Sequence, residues 1–398
     1  MDIDLADRAV ESSQSGYRTY FKFLSANDSG ATGAHQSGIL LSVQAMPMIF
    51  GKRPDEHVAK RDNIRITWQD DYVTHSTFTW YESKRELRLT CLGRGFPYLN
   101  PDFTGALFVL TRVAEDEYEA YLLNTEDEIN HYLAAFSFGP QDAGQMFDPL
   151  TARPANREDA EEMAIRDYVS SLGLGENSAF PISKDISRKA REIQNAVHNK
   201  RELIVTDPDR KVIEYTRVEY AIFREIEAQM YGPRISEGFS SVEQFVAVAN
   251  TVLNRRKSRA GKSLEHHLAS IFSDNQLSFE EQVVTENNKK PDFIFPSGDA
   301  YRDFSYSADK LVVLAAKTTC KDRWRQIITE ADRMKGRTHF LMTLQQGNTP
   351  HQLEEMRAAH VRLVVPKPYI GAYPPEFRDD IWPLKKFIDY VKCTVGDI

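Results

Sequence analysis

The sequence predicts two domains, a mostly β N-terminal one and a C-terminal α/β one built on a mixed sheet flanked by helices. Three observations carry this. The chain has 398 residues, more than a single hydrophobic core usually organises. From Ile64 to Asn124 short alternating apolar runs follow one another at regular spacing, as in a β-barrel or sandwich. After Lys317 the order reads helix, strand (His339 to Leu344), helix, strand (Val361 to Pro366), helix, which is an α/β arrangement.

Taken in order, the first twenty-odd residues read as a short helix around Tyr17, Tyr20, Phe21 and Phe23. Leu24 to Gly38 is a loop dense in small polar residues and glycines, either a phosphate cradle or a plain surface loop. Ile64, Ile66 and Trp68 alternate, as do Phe78 and Trp80, then Leu87, Leu89 and Cys91; Ala106 to Val113 and Tyr118 to Asn124 follow. Lys84, Glu86 and Arg88 share one strand face by the period of two, where basic side chains can meet phosphates and base edges. Gly and Ser gather between Ser170 and Ser178, which places a linker at 172–179 between domains spanning 1–171 and 180–398.

Beyond the linker, helices are expected over Ile186 to His198, Arg217 to Met230 and Val242 to Asn254, the last opened by a Ser240-Ser241-Val242-Glu243 capping box. A basic run (Arg255, Arg256, Lys257, Arg259 and Lys262) then leads into a stretch that buries Leu264, Leu268 and Ile271 and leaves Glu265 at its edge. The adjacent His266 and His267 would point about 100° apart on a helix, so they are not read as a metal motif.

Asp292 opens the apolar segment Phe293-Ile294-Phe295, and Lys317 closes the apolar run Leu311 to Ala316. A metal-dependent phosphodiesterase needs such a pair: the carboxylate holds a divalent cation against the scissile phosphate while the amine orients or deprotonates the attacking water. The signature PD…(D/E)xK would put an acid two residues before Lys317, and Ala315 stands there instead. From Asp322 onward Trp324, Ile327, Ile328, Ala331 and Met334 recur at helical spacing, leaving Arg323, Gln326, Glu330 and Arg333 on another face. Asp292, Lys317 and a migrated Glu330 are therefore read as one site, with Glu265 in reach of a metal held by Asp292.

A net charge of −8 argues against a protein that coats nucleic acid indiscriminately, though not against a specific binder with local basic clusters. Cys91, Cys320 and Cys393 lack partners at zinc or disulfide-framework spacing. No apolar run is long enough to span a bilayer, and a cytoplasmic location is expected.

Several longer stretches are more specific. They are Leu24 to Asp28 with Gly30 to Gly33 and His35-Gln36, Arg217 to Tyr220, Asn254 to Glu265, Asn288 to Phe293, and Lys317 to Gln326. In these the chain resembles the EcoRII-type restriction endonucleases over nearly its whole length. The resemblance implies a homodimeric, Mg²⁺-dependent type IIE enzyme. An N-terminal DNA-binding pseudobarrel would take an effector copy of the site and restrain a C-terminal PD-(D/E)xK, restriction-endonuclease-like domain until it does so. It implies a CCWGG-like double-stranded target with the central pair flipped out and the outer C·G pairs read directly. Carried over, Asp292, Lys317 and Glu330 are catalytic, Asp292 and Glu330 hold the metal, and Glu265 is the auxiliary acid. Lys321, Asp322 and Arg323 match the recognition motif, Arg suiting guanine O6 and N7 and Asp suiting cytosine N4. Arg217 and Tyr220 lie in the segment that would sandwich a flipped base. His35, Lys84, Glu86 and Arg88 fall on effector-contacting positions, where Leu40 replaces an aromatic and Leu87 a basic residue. Two other classes compete. A site-specific DNA-binding regulator without cleavage would not need Asp292, Lys317 and Glu330 together, and a structure-specific repair nuclease would not need a second DNA-binding domain.

Overall fold

The structure is a computed structural model and describes residues 4–33, 38–148, 153–154, 159–175 and 178–396. Helix α1 (Asp4–Ser15) precedes strand β1 (Arg18–Phe23), so the aromatic stretch expected to be helical is a strand. Tyr20 points into one core and Phe21 and Phe23 into another, one on each face of the sheet. A short aromatic run buried on both sides has no visible alternation, which is why it passes for a helix.

The strands β2 (Ile39–Leu41), β3 (Val58–Trp68), β4 (Val73–Tyr81), β5 (Glu86–Thr90), β6 (Leu107–Ala114), β7 (Glu117–Leu123), β8 (Gln145–Asp148) and β9 (Arg153–Pro154) join β1 in one sheet. Its order is β2-β5-β4-β3-β7-β6-β1-β8-β9, curled into a half-barrel, with β3 and β7 its one parallel pair among the described strands. The concave face buries Trp68, Phe78, Trp80, Phe108 and Tyr118, joined by the short helix α2 (Met46–Ile49). The other face packs α1 and α3 (Glu126–Ala135) over Phe21, Val109 and Phe147.

Helices α4 (Asp159–Ser171), α5 (Ser183–His198) and α7 (Pro208–Glu237) share a core in which Ile165 and Val169 meet Ile193, Val218 and Ile222. Between α5 and α7 lies the single turn α6 (Leu203–Thr206). Helix α8 (Val242–Asp274) runs unbroken through the basic segment and on to Phe272. Its cap sits one residue later than the expected box: the Ser241 side chain accepts from Gln244 N–H, and the Gln244 side chain returns to Ser240.

The second sheet follows its own sequence order: β10 (Glu280–Glu281), β11 (Phe293–Phe295), β12 (Val312–Lys317), β13 (His339–Thr343) and β14 (Val361–Val364). The first three run antiparallel and the last three parallel. One face carries the C-terminal half of α8 and helix α12 (Leu384–Val395), closing over Phe272, Phe293, Leu314 and Phe387. The other carries α10 (Pro350–Ala358) and the turns around Trp324. Two further short helices, α9 (Gly298–Arg302) and α11 (Lys367–Ile370), lie at the edges. A buried carboxylate, Asp209 at the start of α7, accepts the N–H groups of Lys367, Leu384 and Lys385 and so pins α11 and α12 to the long helix. No described helix is long and apolar enough to cross a membrane.

Candidate active site

Antiparallel pairing sets Phe293 opposite Leu314, so Asp292, one residue before β11, comes to lie beside the last residues of β12. Its Oδ2 accepts the Ala316 N–H at 2.8 Å, one position before Lys317. Gln282 Nε2 donates to Asp292 Oδ1 at 2.9 Å and to Glu265 Oε2 at 3.2 Å. Glu265, from α8, also receives Lys262 Nζ at 2.7 Å. Asp292 and Glu265 are both buried.

Glu330 joins them electrostatically. Burial first, and then the charge of Asp292, pushes its carboxyl up to about 7, while Lys317 and Lys289 pull the other way. Glu265 is raised for the same two reasons, opposed by Lys262 and Lys317. Glu265 and Glu330 thus each feel the charges of Asp292 and Lys317. Carboxylates that keep their protons abnormally well, as Glu265 and Glu330 do, are what a hard divalent cation relieves, and these two and Asp292 offer only oxygen, the donor Mg²⁺ prefers. The donor set therefore fits the metal, although among the described residues no three His, Cys, Asp or Glu side chains stand drawn together around one point.

The segment after Lys317 differs from the expected helix. It forms two 3₁₀ stretches, Arg323–Thr329 and Asp332–Met334, which turn three residues per repeat and break the proposed polar face. Glu330 caps the first, its N–H bonded to Ile327 O. Arg333 faces away, donating to the carbonyls of Ala300 and Tyr306. His267 is a core residue: its Nε2 lies 2.8 Å from Glu219 Oε2, both fully buried.

The segment Lys321 to Arg323, expected to read DNA, is engaged by the half-barrel domain. Glu126, at the first turn of α3, accepts three successive backbone N–H groups through Oε2, from Lys321 (3.1 Å), Asp322 (3.3 Å) and Arg323 (3.3 Å). Its Oε1 takes Arg323 Nε at 2.8 Å. Lys321 is buried, its Nζ bonded to Asn124 Oδ1 at 2.6 Å, and burial lowers its pKa to about 8. Thr319 donates to Asn130 Oδ1 at 2.8 Å. At the other end of α3, Arg256 holds the Ala134 and Ala135 carbonyls while pairing with Glu227. Helix α3 therefore lies across the end of β12. What remains between the domains is a cleft of about 590 Å³ lined by Lys257, Glu265, Lys317 and Gln326, among others.

Tyr220 is buried, with the Arg259 guanidinium 3.7 Å from its ring centroid, and Arg217 reaches Gln141 O at 3.4 Å. On the half-barrel, Lys84 sits in the exposed turn before β5 rather than on the strand. Glu86 and Arg88 share the strand's outer face and pair at 2.9 Å, while Leu87 points into the core. Arg88 is the register partner of Leu40. His35 lies outside the described residues. The neighbouring loop is built around buried Asp28, which accepts from Lys22 Nζ, Ser25 and Leu40 N–H.

Sequence reasoning passed over Glu126 and Gln282, and took Arg256 only as one member of a basic run. Glu126 stands in the acidic run Thr125-Glu126-Asp127-Glu128, which reads simply as a capped helix start, and its partners lie some two hundred residues away. Gln282 carries no charge, and only its placement between two carboxylates marks it.

Compared with known proteins, residues 13–134 match the family described as restriction endonuclease EcoRII, N-terminal, and residues 223–388 match EcoRII C terminal. The type II restriction enzyme EcoRII of Escherichia coli is 34% identical over 412 residues, covering 96% of each chain. Among solved structures, metal-depleted Ecl18kI in complex with uncleaved, modified DNA aligns at 15% identity and a TM-score of 0.46, over 60% of this chain and 86% of that one. A PspGI–substrate DNA complex aligns at 19% identity and a TM-score of 0.44, over 54% and 93%.

Proposed function

The chain belongs to the EcoRII family of type II restriction endonucleases and is a site-specific deoxyribonuclease; from that premise we propose how it cuts and how it is restrained. Asp292 and Glu330 hold Mg²⁺, with Glu265 as the auxiliary acid, and Lys317 orients the attacking water at the end of β12. When bound, the ion acts as a Lewis acid at the scissile phosphate. The Ala316 N–H keeps Asp292 aimed beside Lys317. Hydrolysis leaves 5′-phosphate and 3′-hydroxyl ends. The target is a CCWGG-like duplex, a reading supported by near-full-length similarity to a relative and by the Lys321-Asp322-Arg323 segment. Arg323 reads guanine and Asp322 cytosine. Arg217 and Tyr220 take the flipped base, which requires Arg259 to leave the Tyr220 ring. Two copies of the chain, each with one active site, cut the two strands.

The intact chain is autoinhibited. The observation that supports this is the Glu126 clamp: the Arg323 guanidinium that would meet guanine is already paired with a carboxylate of the half-barrel domain, around which the backbone N–H groups of Lys321 to Arg323 are also wrapped. Effector DNA, bound on the half-barrel near His35, Lys84, Glu86 and Arg88, shifts the equilibrium by binding the open form more tightly than the closed one. The test is a digest of one plasmid of known sequence, with and without a short duplex carrying the site. Ends mapping to CCWGG-like sequences, and faster cutting with the duplex, are expected. Ends scattered over unrelated sequences would defeat the assignment of specificity, and indifference to the duplex would defeat the restraint.

A further inference from the structure

Gln282 is tied to Asp292 twice. Its backbone N–H donates to Asp292 O at 3.2 Å, and its side-chain Nε2 donates to Asp292 Oδ1 at 2.9 Å. The same nitrogen donates to Glu265 Oε2 at 3.2 Å, so one NH₂ group lies between two acids that come from different elements. Gln282 also has a φ of +54°, a left-handed conformation a β-carbon disfavours, just after the two-residue strand β10. The fold thus holds an amide donor at the spot where the carboxylates face each other. An amide NH₂ supplies positive density to both carboxylates at once without a full charge.

We infer that Gln282 is a positioning residue whose amide takes the place of the divalent cation between Asp292 and Glu265 and must swing away for the ion to enter. This rests on the reading of Asp292 as a metal-holding acid with Glu265 as its auxiliary acid. The amide keeps the two carboxylates from repelling each other apart in the ion-free chain. It also competes with the ion, so Gln282 sets how much free cation the site needs. Lys262 donates to the same Glu265 Oε2 at 2.7 Å but touches only one of the two acids, so it does not hold them together.

The test measures Mn²⁺ binding to the intact chain by calorimetry without DNA, alongside Mn²⁺-induced thermal stabilisation. Gln282→Ala removes the competing hydrogen bonds and should bind Mn²⁺ roughly threefold to tenfold more tightly, since two such bonds must otherwise be broken first. Gln282→Glu, close in size, adds a third carboxylate and should show a larger Mn²⁺-induced rise in Tm than the parent chain. A merely structural role would lower Mn²⁺ affinity or leave it unchanged in Gln282→Ala, and either result overturns the proposal. Asp292→Ala separates the two readings: if it keeps both Mn²⁺ binding and cleavage, the metal-site assignment itself fails, whatever Gln282 does.

Discussion

Replacing Glu126 with Ala removes the acceptor around which the recognition segment is wrapped in the closed chain. The carboxylate takes four hydrogen bonds, three of them from backbone N–H groups at 3.1 to 3.3 Å and one from Arg323 at 2.8 Å. A hydrogen bond to a charged group contributes about 1.5–3 kcal/mol, but these long bonds share one oxygen and the guanidinium is half exposed. A total of about 2–4 kcal/mol is reasonable for the clamp, roughly a 30- to 1000-fold shift toward the open form. The assay is the initial rate of cutting a single-site duplex with no added effector. The Glu126→Ala chain should cut at least about tenfold faster than the parent under these conditions, because Thr319–Asn130 and Arg256–α3 contacts still favour closure. With saturating effector the two chains should cut alike. Glu126→Gln, which keeps an acceptor without the charge, should fall between them. A folded Glu126→Ala chain that cuts single-site DNA no faster than the parent would show that Glu126 does not hold the chain closed.

Arg323→Ala should lose discrimination at a G·C pair by about 1–3 kcal/mol, read from cleavage of duplexes carrying single substitutions in the site. Unchanged site preference would show that Arg323 serves only the interdomain clamp. Glu330 holds its proton up to about 7 against an ordinary 4.5, so it favours the folded state below pH 4.5 and that contribution is lost as pH rises toward 7. Cation binding needs the carboxylate ionised, so Ca²⁺ should raise Tm more at pH 8 than at pH 6. Equal shifts at both would contradict the assignment of Glu330 to the metal site.

The two domains were legible because their periodicities differ: period two over Ile64 to Asn124, longer apolar and helical runs after Lys317. Leu264, Leu268 and Ile271 lie in the core as their spacing implies. The failures have local causes. Phe21 and Phe23 look helical because both faces of β1 are buried. The Trp324–Met334 segment follows helical spacing yet winds as 3₁₀ turns around a core formed by Trp324, Ile327 and neighbours from β13 and β14. Spacing alone cannot separate the two because i, i+3 contacts are common to both. Of the site, Asp292 and Lys317 could be read as strand ends, but which groups they touch depends on register. Glu126 and Gln282 were invisible for that reason: each acquires its meaning only from residues distant in sequence.

If Asp292, Lys317 and Glu330 cut DNA while other residues bind it, one substitution should separate the two activities. The most direct measurement compares Asp292→Asn with the parent chain on one site-bearing duplex, scoring binding without metal and cleavage with Mg²⁺. The amide can still accept the Ala316 N–H, so the fold around β11 and β12 is preserved. Binding should stay within a few-fold of the parent and cleavage should fall by about a thousandfold or more, since several kcal/mol of charge stabilisation are lost. Near-normal cleavage by the Asp292→Asn chain would contradict that division of roles.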